Sequence, residues 1–385
     1  MRSGVRAAIA AASAVPALIL TSLTAAVGAP PAGSSTISYH GTTISVPRGW
    51  PVYDLAKDPT RCVRLDRHAV YLGTPGANQA CPAHLVGRTE TLLVQPYRGG
   101  VVQAEPDAVQ ATQGQALVTA SYGAAGAAAA RRLLPRAAST PPRPAAPKTG
   151  TTTKPSTPTT LQGAAFDACA APSREALQRW STTVAPYQAI GIYIGGLNRG
   201  CAYGNLSAPW VRAVRSYGYR FIPTYVGRQA PCSHIGTPIT PGQASEQGLD
   251  AARNALSNLA KFGFGKGNPV YLDMEGYSGD VACREAVLSF VNAWVYRLHL
   301  SGFRAGLYTS SWSSIVMHHN DGFHNPDVIW IGRWNNKATV FGDPVVPDTF
   351  WTNHQRIHQY KGSHKVRYAG VTLEIDTDEV DGPVG

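Results

Sequence analysis

The 385-residue sequence predicts an α/β protein, with a (β/α)8 TIM-like barrel at the C-terminal side preceded by a small β-rich domain and a Pro/Thr/Ala-rich linker. Eight short apolar runs succeed one another after residue 161. Amphipathic stretches with helix start and stop signals separate the earlier runs. Eight strand–helix units fit the roughly 225 residues available. Because the helical pattern weakens towards the end, an incomplete or open α/β sheet is the alternative.

The chain begins with a basic MRSGVR, an Ala-rich apolar stretch and small residues, with Ala26 and Ala29 as cleavage points. This is the pattern of a signal peptide over 1–32. Pro16 and the many alanines make a poor spanning helix, so a retained anchor is the lesser reading. Residues 33–120 read as the small β-rich domain: STISYHGTTISV alternates and breaks at Gly41, and HAVYLG and TLLVQPY are further short strands. Asp54, Asp58, Asp66 and His68 read there as surface polar groups, with no catalytic constellation among them. Residues 121–160 are dominated by Ala, Pro, Thr and basic side chains with little to bury, the composition of a semi-stiff, disordered linker.

The net charge of +11 is unevenly spread. Arg2 and Arg6 in the leader and Arg131, Arg132, Arg136, Arg143, Lys148 and Lys154 in the linker supply eight of the eleven. From 161 onward 19 Lys and Arg face 17 Asp and Glu, so a basic tether is expected rather than a nucleic-acid-binding face. Six cysteines fit an exported protein. Cys62 and Cys81 can pair only with each other within the first domain, whereas Cys169, Cys201, Cys232 and Cys283 allow three connectivities. No C-x-x-C spacing points to zinc.

The eight runs begin with GAAFD ending at Asp167, AIGIYIGG at Gly196, RFIPTYVG at Gly227 and PVYLDME at Glu275. RAGLYTS ending at Ser310, VIWIGRW at Trp334, RIHQYK at Lys361 and GVTLEID at Asp376 complete them. Ser173 is placed to cap REALQRWSTT, and Thr240-Pro241 to open a long helical stretch. REAVLSFVNAWVYRLHL repeats apolar residues at helical spacing and stops at Gly302.

Charge and burial conflict in the fourth run. Asp273 and Glu275 share one face of the strand, roughly 6.6 Å apart along it, at the end where barrel enzymes hold their reactive groups. Two buried carboxylates cost several kcal/mol unless they are hydrogen-bonded or one keeps its proton. A raised carboxyl pKa is also what a general acid needs at neutral pH. Asp167 closes the first strand, and Asp376 and Asp378 close the eighth, its neighbour in a closed barrel. Tyr193, Tyr225, Tyr308, Trp330, Trp334 and Tyr360 lie at matching levels and offer faces on which sugar rings stack. Paired carboxyls flanking a glycosidic bond are the requirement of glycoside hydrolysis. The structural alternatives are an ion pair with an arginine such as Arg333, Asp167 as a helix cap and Asp376 as a turn residue. No phosphate-binding glycine motif appears, HQRIH (His354 to His358) lacks a zincin glutamate, and His318-His319 read as surface or packing residues. No cofactor and no metal are expected.

GAAFDACAAPS, IGIYIGG, RFIPTYVG, PVYLDMEGY and GLYTSS, in that order, resemble an actinobacterial secreted glycoside-hydrolase-like domain, domain-of-unknown-function family 1906, over about 161–385. That domain is similar to the family 25 glycoside hydrolases, lysozyme-type muramidases with a (β/α)8-like barrel. The resemblance implies Asp167, Asp273, Glu275 and Asp376 as the catalytic set, with Glu275 the proton donor and Asp273 the transition-state stabiliser. Two positions depart from the muramidase pattern. Asp167 is followed by Ala168-Cys169 instead of completing D-x-S, and Asp378 stands where Asn is usual. The expectation is a secreted, monomeric, wall-associated hydrolase of peptidoglycan-like glycan. Neither nucleic acid nor membrane is an expected partner. A non-catalytic wall-polysaccharide binder on a hydrolase fold is the alternative.

Overall fold

The computed structural model describes residues 33–102, 105, 107–135, 138–142, 158–317 and 323–385. The expected leader, residues 143–157 of the expected linker, and His318-His319 lie outside these. In the first unit, β1 (Ser34–Tyr39) and β2 (Thr42–Pro47) form a hairpin. His40 and Gly41 turn it, both at positive φ, as a two-residue turn matched to strand twist requires. β3 (Val52–Asp54), β4 (Val70–Leu72), β5 (Thr91–Pro96), β6 (Ala108–Gln113) and β7 (Ala116–Ser121) build a five-stranded sheet in the order β3-β4-β5-β7-β6. α1 (Gly126–Arg132) adds Ala130 to the core of Ile44, Val46, Val70, Leu92 and Val118. Part of the Ala-rich stretch is thus packed against the sheet.

The second unit opens with β8 (Thr159–Asp167), α2 (Arg174–Ser181), β9 (Ala189–Gly195), α3 (Ala208–Ser216), β10 (Arg220–Val226), α4 (Ala244–Phe262), β11 (Pro269–Asp273) and α5 (Val281–Leu300). β12 (Arg304–Ser310), α6 (Ser311–Ile315), β13 (Val328–Gly332), β14 (Arg356–Tyr368) and β15 (Val371–Val384) complete it. All eight apolar runs are strands, and they close into a barrel. It is a mixed barrel, however, and not the expected (β/α)8 barrel. β8 to β14 pair in parallel, whereas β15 is antiparallel to both β14 and β8.

The reason is local. After β13 the chain carries Asn336 at positive φ, Gly342, Pro344 and Pro347, which punctuate helices, and no helix forms there. β14 and β15 are the arms of one hairpin turned by Ala369 and Gly370, both at positive φ. Parallel strands need a crossover, usually helical; antiparallel neighbours do not.

The helices that do form obey their sequence signals. Ser173 Oγ accepts from Ala176 N–H at 3.1 Å, and Asp280 caps α5 by accepting from Cys283 N–H at 2.9 Å. Thr240-Pro241 opens only a 3-10 turn, and α4 starts at Ala244. α4 and α5 approach closely at Gly248, where a Cβ would sit 2.3 Å from the Phe290 carbonyl oxygen. Between helices and strands lies a core that includes Phe166, Trp180, Phe221, Leu259, Phe290 and Trp294. Ala165, Ile222, Tyr271, Trp330, Ile357 and Val380 fill the barrel itself. The disulfides are Cys62–Cys81, Cys169–Cys201 and Cys232–Cys283, which settles the pairing left open by the sequence.

Where the helix is missing, Arg356 ties the 333–355 segment to the barrel. Its fully buried guanidinium donates to the carbonyls of Val340 at 3.0 Å, Pro347 at 2.5 Å and Phe350 at 2.6 and 3.0 Å. Each hydrogen bond to a charged group contributes about 1.5–3 kcal/mol. Arg356→Met keeps the volume and removes these bonds. We expect it to lower stability by at least about 3 kcal/mol, read from the urea midpoint. An unchanged midpoint would show that the segment holds itself.

Candidate active site

Strand register brings the carboxyl groups together. Asp167 ends β8 and Asp273 ends β11, and both are fully buried at the same rim of the barrel. β15 enters from that rim, so the aspartates expected at the end of an eighth strand lie in its first half. Asp376 pairs with Asp167, and Asp378, two residues deeper, with Ala165. The strand runs opposite to expectation, yet its carboxyls reach the mouth. An antiparallel strand starts where its neighbours end.

Two glutamines that the sequence did not single out organise these groups. Gln359 Nε2 donates to Asp167 Oδ2 at 2.9 Å and to Asp376 Oδ2 at 3.3 Å. Its Oε1 accepts from the Tyr308 hydroxyl at 3.0 Å and the Trp334 indole at 2.9 Å. Gln229 Nε2 donates to the Asp273 carbonyl at 2.9 Å, and its Oε1 accepts from Glu275 N–H at 2.8 Å, which fixes the D-x-E backbone. Only their neighbours in space mark these residues, and a linear reading does not see those.

Four of the six aromatic candidates reach the mouth. The Tyr193 hydroxyl donates to Asp167 Oδ1 at 2.6 Å, and the Trp330 indole to Asp378 Oδ1 at 2.9 Å. Tyr308 packs edge-on to Trp330, and Trp334 stands on the rim with 64% of its surface exposed. Tyr225 does not join them: it faces the helix layer, 5.4 Å from the ring of Trp294. Tyr360 follows Gln359 directly and lies on the opposite face of β14, beside His358. Arg333, the candidate ion-pair partner of the D-x-E pair, instead lies 3.6 Å from Asp343.

The first unit completes the site, although its sequence showed no functional constellation. His84 reaches into the barrel mouth with 18% of its side chain exposed. Its Nε2 lies 2.8 Å from Glu275 Oε1 and 3.4 Å from Asp273 Oδ2, and its Nδ1 lies 2.8 Å from the Tyr193 hydroxyl. The contacts to the carboxylates are those of an ion pair rather than of aligned hydrogen bonds. The ring stacks on Tyr308 at 5.8 Å and meets Tyr193 edge-on. No motif or periodicity surrounds His84 in PAHLVG, which is why sequence reasoning passed over it.

These contacts split the protonation states. Burial disfavours the imidazolium, but Asp273, Glu275 and Asp167 outweigh it and hold the His84 pKa up at about 10. Burial raises Asp273 to about 8 against the pull of His84. Burial, reinforced by Asp167, likewise raises Asp376 to about 8. Asp167 and Asp378 are also raised, chiefly by burial. Burial pushes Glu275 up too, but contact with His84 wins and holds it below its usual value. Donor atoms of His84, Asp273 and Glu275, and of His84, Asp167 and Asp376, lie within 4.8 Å of one another. Both sets have the donors for a divalent cation only when the imidazole is neutral; as an imidazolium, His84 supplies the positive charge itself.

A pH dependence follows. His84 is raised from 6.5, so its stabilisation is full below that value and is lost as pH climbs towards about 10. Asp273 and Asp376 are raised from 3.8, so they hold protons that the unfolded chain releases, and stability falls between there and about 8. Glu275 is lowered from 4.5, so its stabilisation is present above that value and lost on acidification. Thermal melts from pH 3 to 10 should peak between about 3.8 and 4.5 and decline from there, and His84→Gln should flatten the decline above about 6.5. A maximum above pH 8 would contradict the assigned charges.

The family described as Rv2525c-like, glycoside hydrolase-like domain matches residues 178–380. Similar solved structures include an uncharacterized B. stearothermophilus protein, at 18% identity and TM-score 0.38 over 56% of this chain and 95% of that one. The Mycobacterium tuberculosis Tat-secreted protein Rv2525c in complex with L-tartrate is 17% identical, with TM-score 0.41 over 57% and 96%. The catalytic domain of endolysin ply40 from bacteriophage P40 of Listeria monocytogenes is 12% identical, with TM-score 0.37 over 57% and 93%. No curated protein matches the chain. The family match spans more than half the sequence and includes β9 to β14, Asp273, Glu275, Asp376 and Gln359: the chain belongs to the Rv2525c-like, glycoside hydrolase-like family.

Proposed function

We propose that the protein is a secreted glycoside hydrolase acting on peptidoglycan-like cell-wall glycan. The observation that carries this reading is the gathering of Asp167, Asp273, Glu275, Asp376 and Asp378 at one barrel mouth, with aromatic side chains beside them. Glu275 is the outer carboxyl of the D-x-E pair, with 23% of its side chain exposed, and serves as proton donor to the leaving oxygen. Asp273 is enclosed and, in its ionised form, stabilises the developing positive charge. Asp167 and Asp376, bridged by Gln359, form the polar floor, while Tyr193, Tyr308 and Trp334 receive the sugar. With glycan in place of the His84 ring, the ion pair that keeps Glu275 ionised is gone. Burial then raises its carboxyl into the acid form.

Export is supported by the leader pattern and by three disulfides. Among the described residues no helix is long and apolar enough to cross a membrane. A second reading, a glycan-binding barrel without turnover, draws on the His84–Glu275 contact, which occupies the proton donor.

Incubation with isolated cell walls and measurement of new reducing ends separates the two. The wild type or its His84→Ala form should release reducing ends. Glu275→Gln in the same background should lower the rate at least about 100-fold with wall binding retained, as removal of a general acid does. No release by either form, with binding intact, would leave the binding module.

A further inference from the structure

The chain segment that carries His84 lies across the barrel mouth and is held there from both sides. Cys81 is bonded to Cys62, and Ala80 N–H donates to the Thr60 carbonyl at 2.7 Å, which ties the segment's start to its own unit. Next comes Ala83, fully buried, whose N–H donates to Ser363 Oγ of β14 at 3.3 Å. Beyond His84, the Leu85 carbonyl accepts from Gly200 N–H at 3.1 Å, and Gly87 N–H donates to the Asn198 carbonyl at 2.8 Å. Bridges Val86↔Arg199 and Arg64↔Cys201 extend this seam. Residues 82–85 therefore span from the β14–β15 hairpin to the loop after β9.

At the middle of this strap a positive ring sits where a reacting sugar would have to be. His84 Nε2 touches both members of the D-x-E pair, and its ring lies between Tyr193 and Tyr308. A glycosidic oxygen within reach of Glu275 would collide with the imidazole. An oxocarbenium-like centre is cationic and flat, and so is an imidazolium. The strap thus presents the carboxylates with a copy of the charge they are built to stabilise. The contact also leaves Glu275 ionised, the wrong state for a proton donor.

We propose that the first unit is a built-in inhibitor of the barrel, with Pro82–Leu85 filling the sugar subsite and His84 as its anchor, so that glycan enters only when the strap is displaced. This rests on the reading of the mouth as a glycan site. The docked state holds most of the molecules, and glycan binds the minor, open fraction.

The full chain tests this through two variants that disturb the strap differently. His84→Ala removes the anchor. Ala83→Arg keeps His84 and every carboxyl but forces a bulky side chain into the buried contact with the barrel. Melting curves confirm which variants fold. Each folded variant is compared with wild type for binding of a soluble β-1,4-linked N-acetylglucosamine hexamer by calorimetry and for reducing ends released from isolated peptidoglycan. If nine-tenths of the wild type is closed, freeing the mouth tightens apparent binding about tenfold. The expected result is that gain, with faster release, in either folded variant. A binding gain without release upholds the inhibitor and removes the hydrolase reading. Wild-type or weaker binding in both variants overturns the inhibitor and makes the strap part of the working site.

Discussion

Asp167 and Asp376 are forced side by side by the register in which β15 closes the barrel against β8. A cross-strand pair of like charges is unfavourable even on a surface, and these two are buried. The molecule answers with shared protons and with donors. One amide group, that of Gln359, spans both carboxyls, Tyr193 takes the other oxygen of Asp167, and Trp330 reaches down to Asp378. These donors come from β9, β13 and β14, so relief of the repulsion recruits strands around much of the barrel. The closure register and the polar floor are therefore one arrangement, and a slip of two residues would undo both.

The negative charge at the outer level belongs to Glu275, beside Asp273, whose two carboxyl oxygens have no hydrogen-bond partner. That charge is what His84 meets. A lone cation buried in an apolar interface would be costly, but five carboxyls lie in the mouth it enters. The match works in both directions. Burial disfavours the imidazolium, and the barrel's carboxyls hold the His84 pKa up at about 10 against it. The two units thus meet through a charge inserted between aromatic rings, and also through the Arg199–Glu105 ion pair at 2.7 Å. The backbone bridges along residues 198–202 set the angle of approach.

The local content of the fold was legible in the sequence, and the direction of its last strand was not. All eight strands, the Ser173 cap and the grouping of Asp167, Asp273, Glu275 and Asp376 follow from apolar runs and spacing. The reversal of β15 escaped because VTLEID reads the same in either direction of pairing. What decides its direction is the Ala369-Gly370 turn, two residues with positive φ between alternating arms. Tyr225 and Tyr360 were misplaced by one step of the strand period, which sends a side chain to the other face. Gln229, Gln359 and His84 carry no signal in their own neighbourhoods. Their roles arise from contacts with residues distant along the chain, such as Gln229 with Glu275, Gln359 with Asp167 and His84 with Glu275.

The missing helix on the far side of the barrel shapes the entrance. Where 333–355 replaces a helix with turns pinned by Arg356, the rim is made of loop, and Trp334 stands out from it. Trp334 is not loose, because its indole is bonded to Gln359, the same side chain that bridges Asp167 and Asp376. A sugar stacking on this exposed ring would press on a group whose other end holds the buried carboxyls. In the proposed glycan site, a polymer reaching the rim would be coupled through Gln359 to the carboxyls that face His84. A regular crossover helix would have covered this side and removed the exposed ring. Its absence leaves Trp334 exposed at the same mouth that the strap crosses.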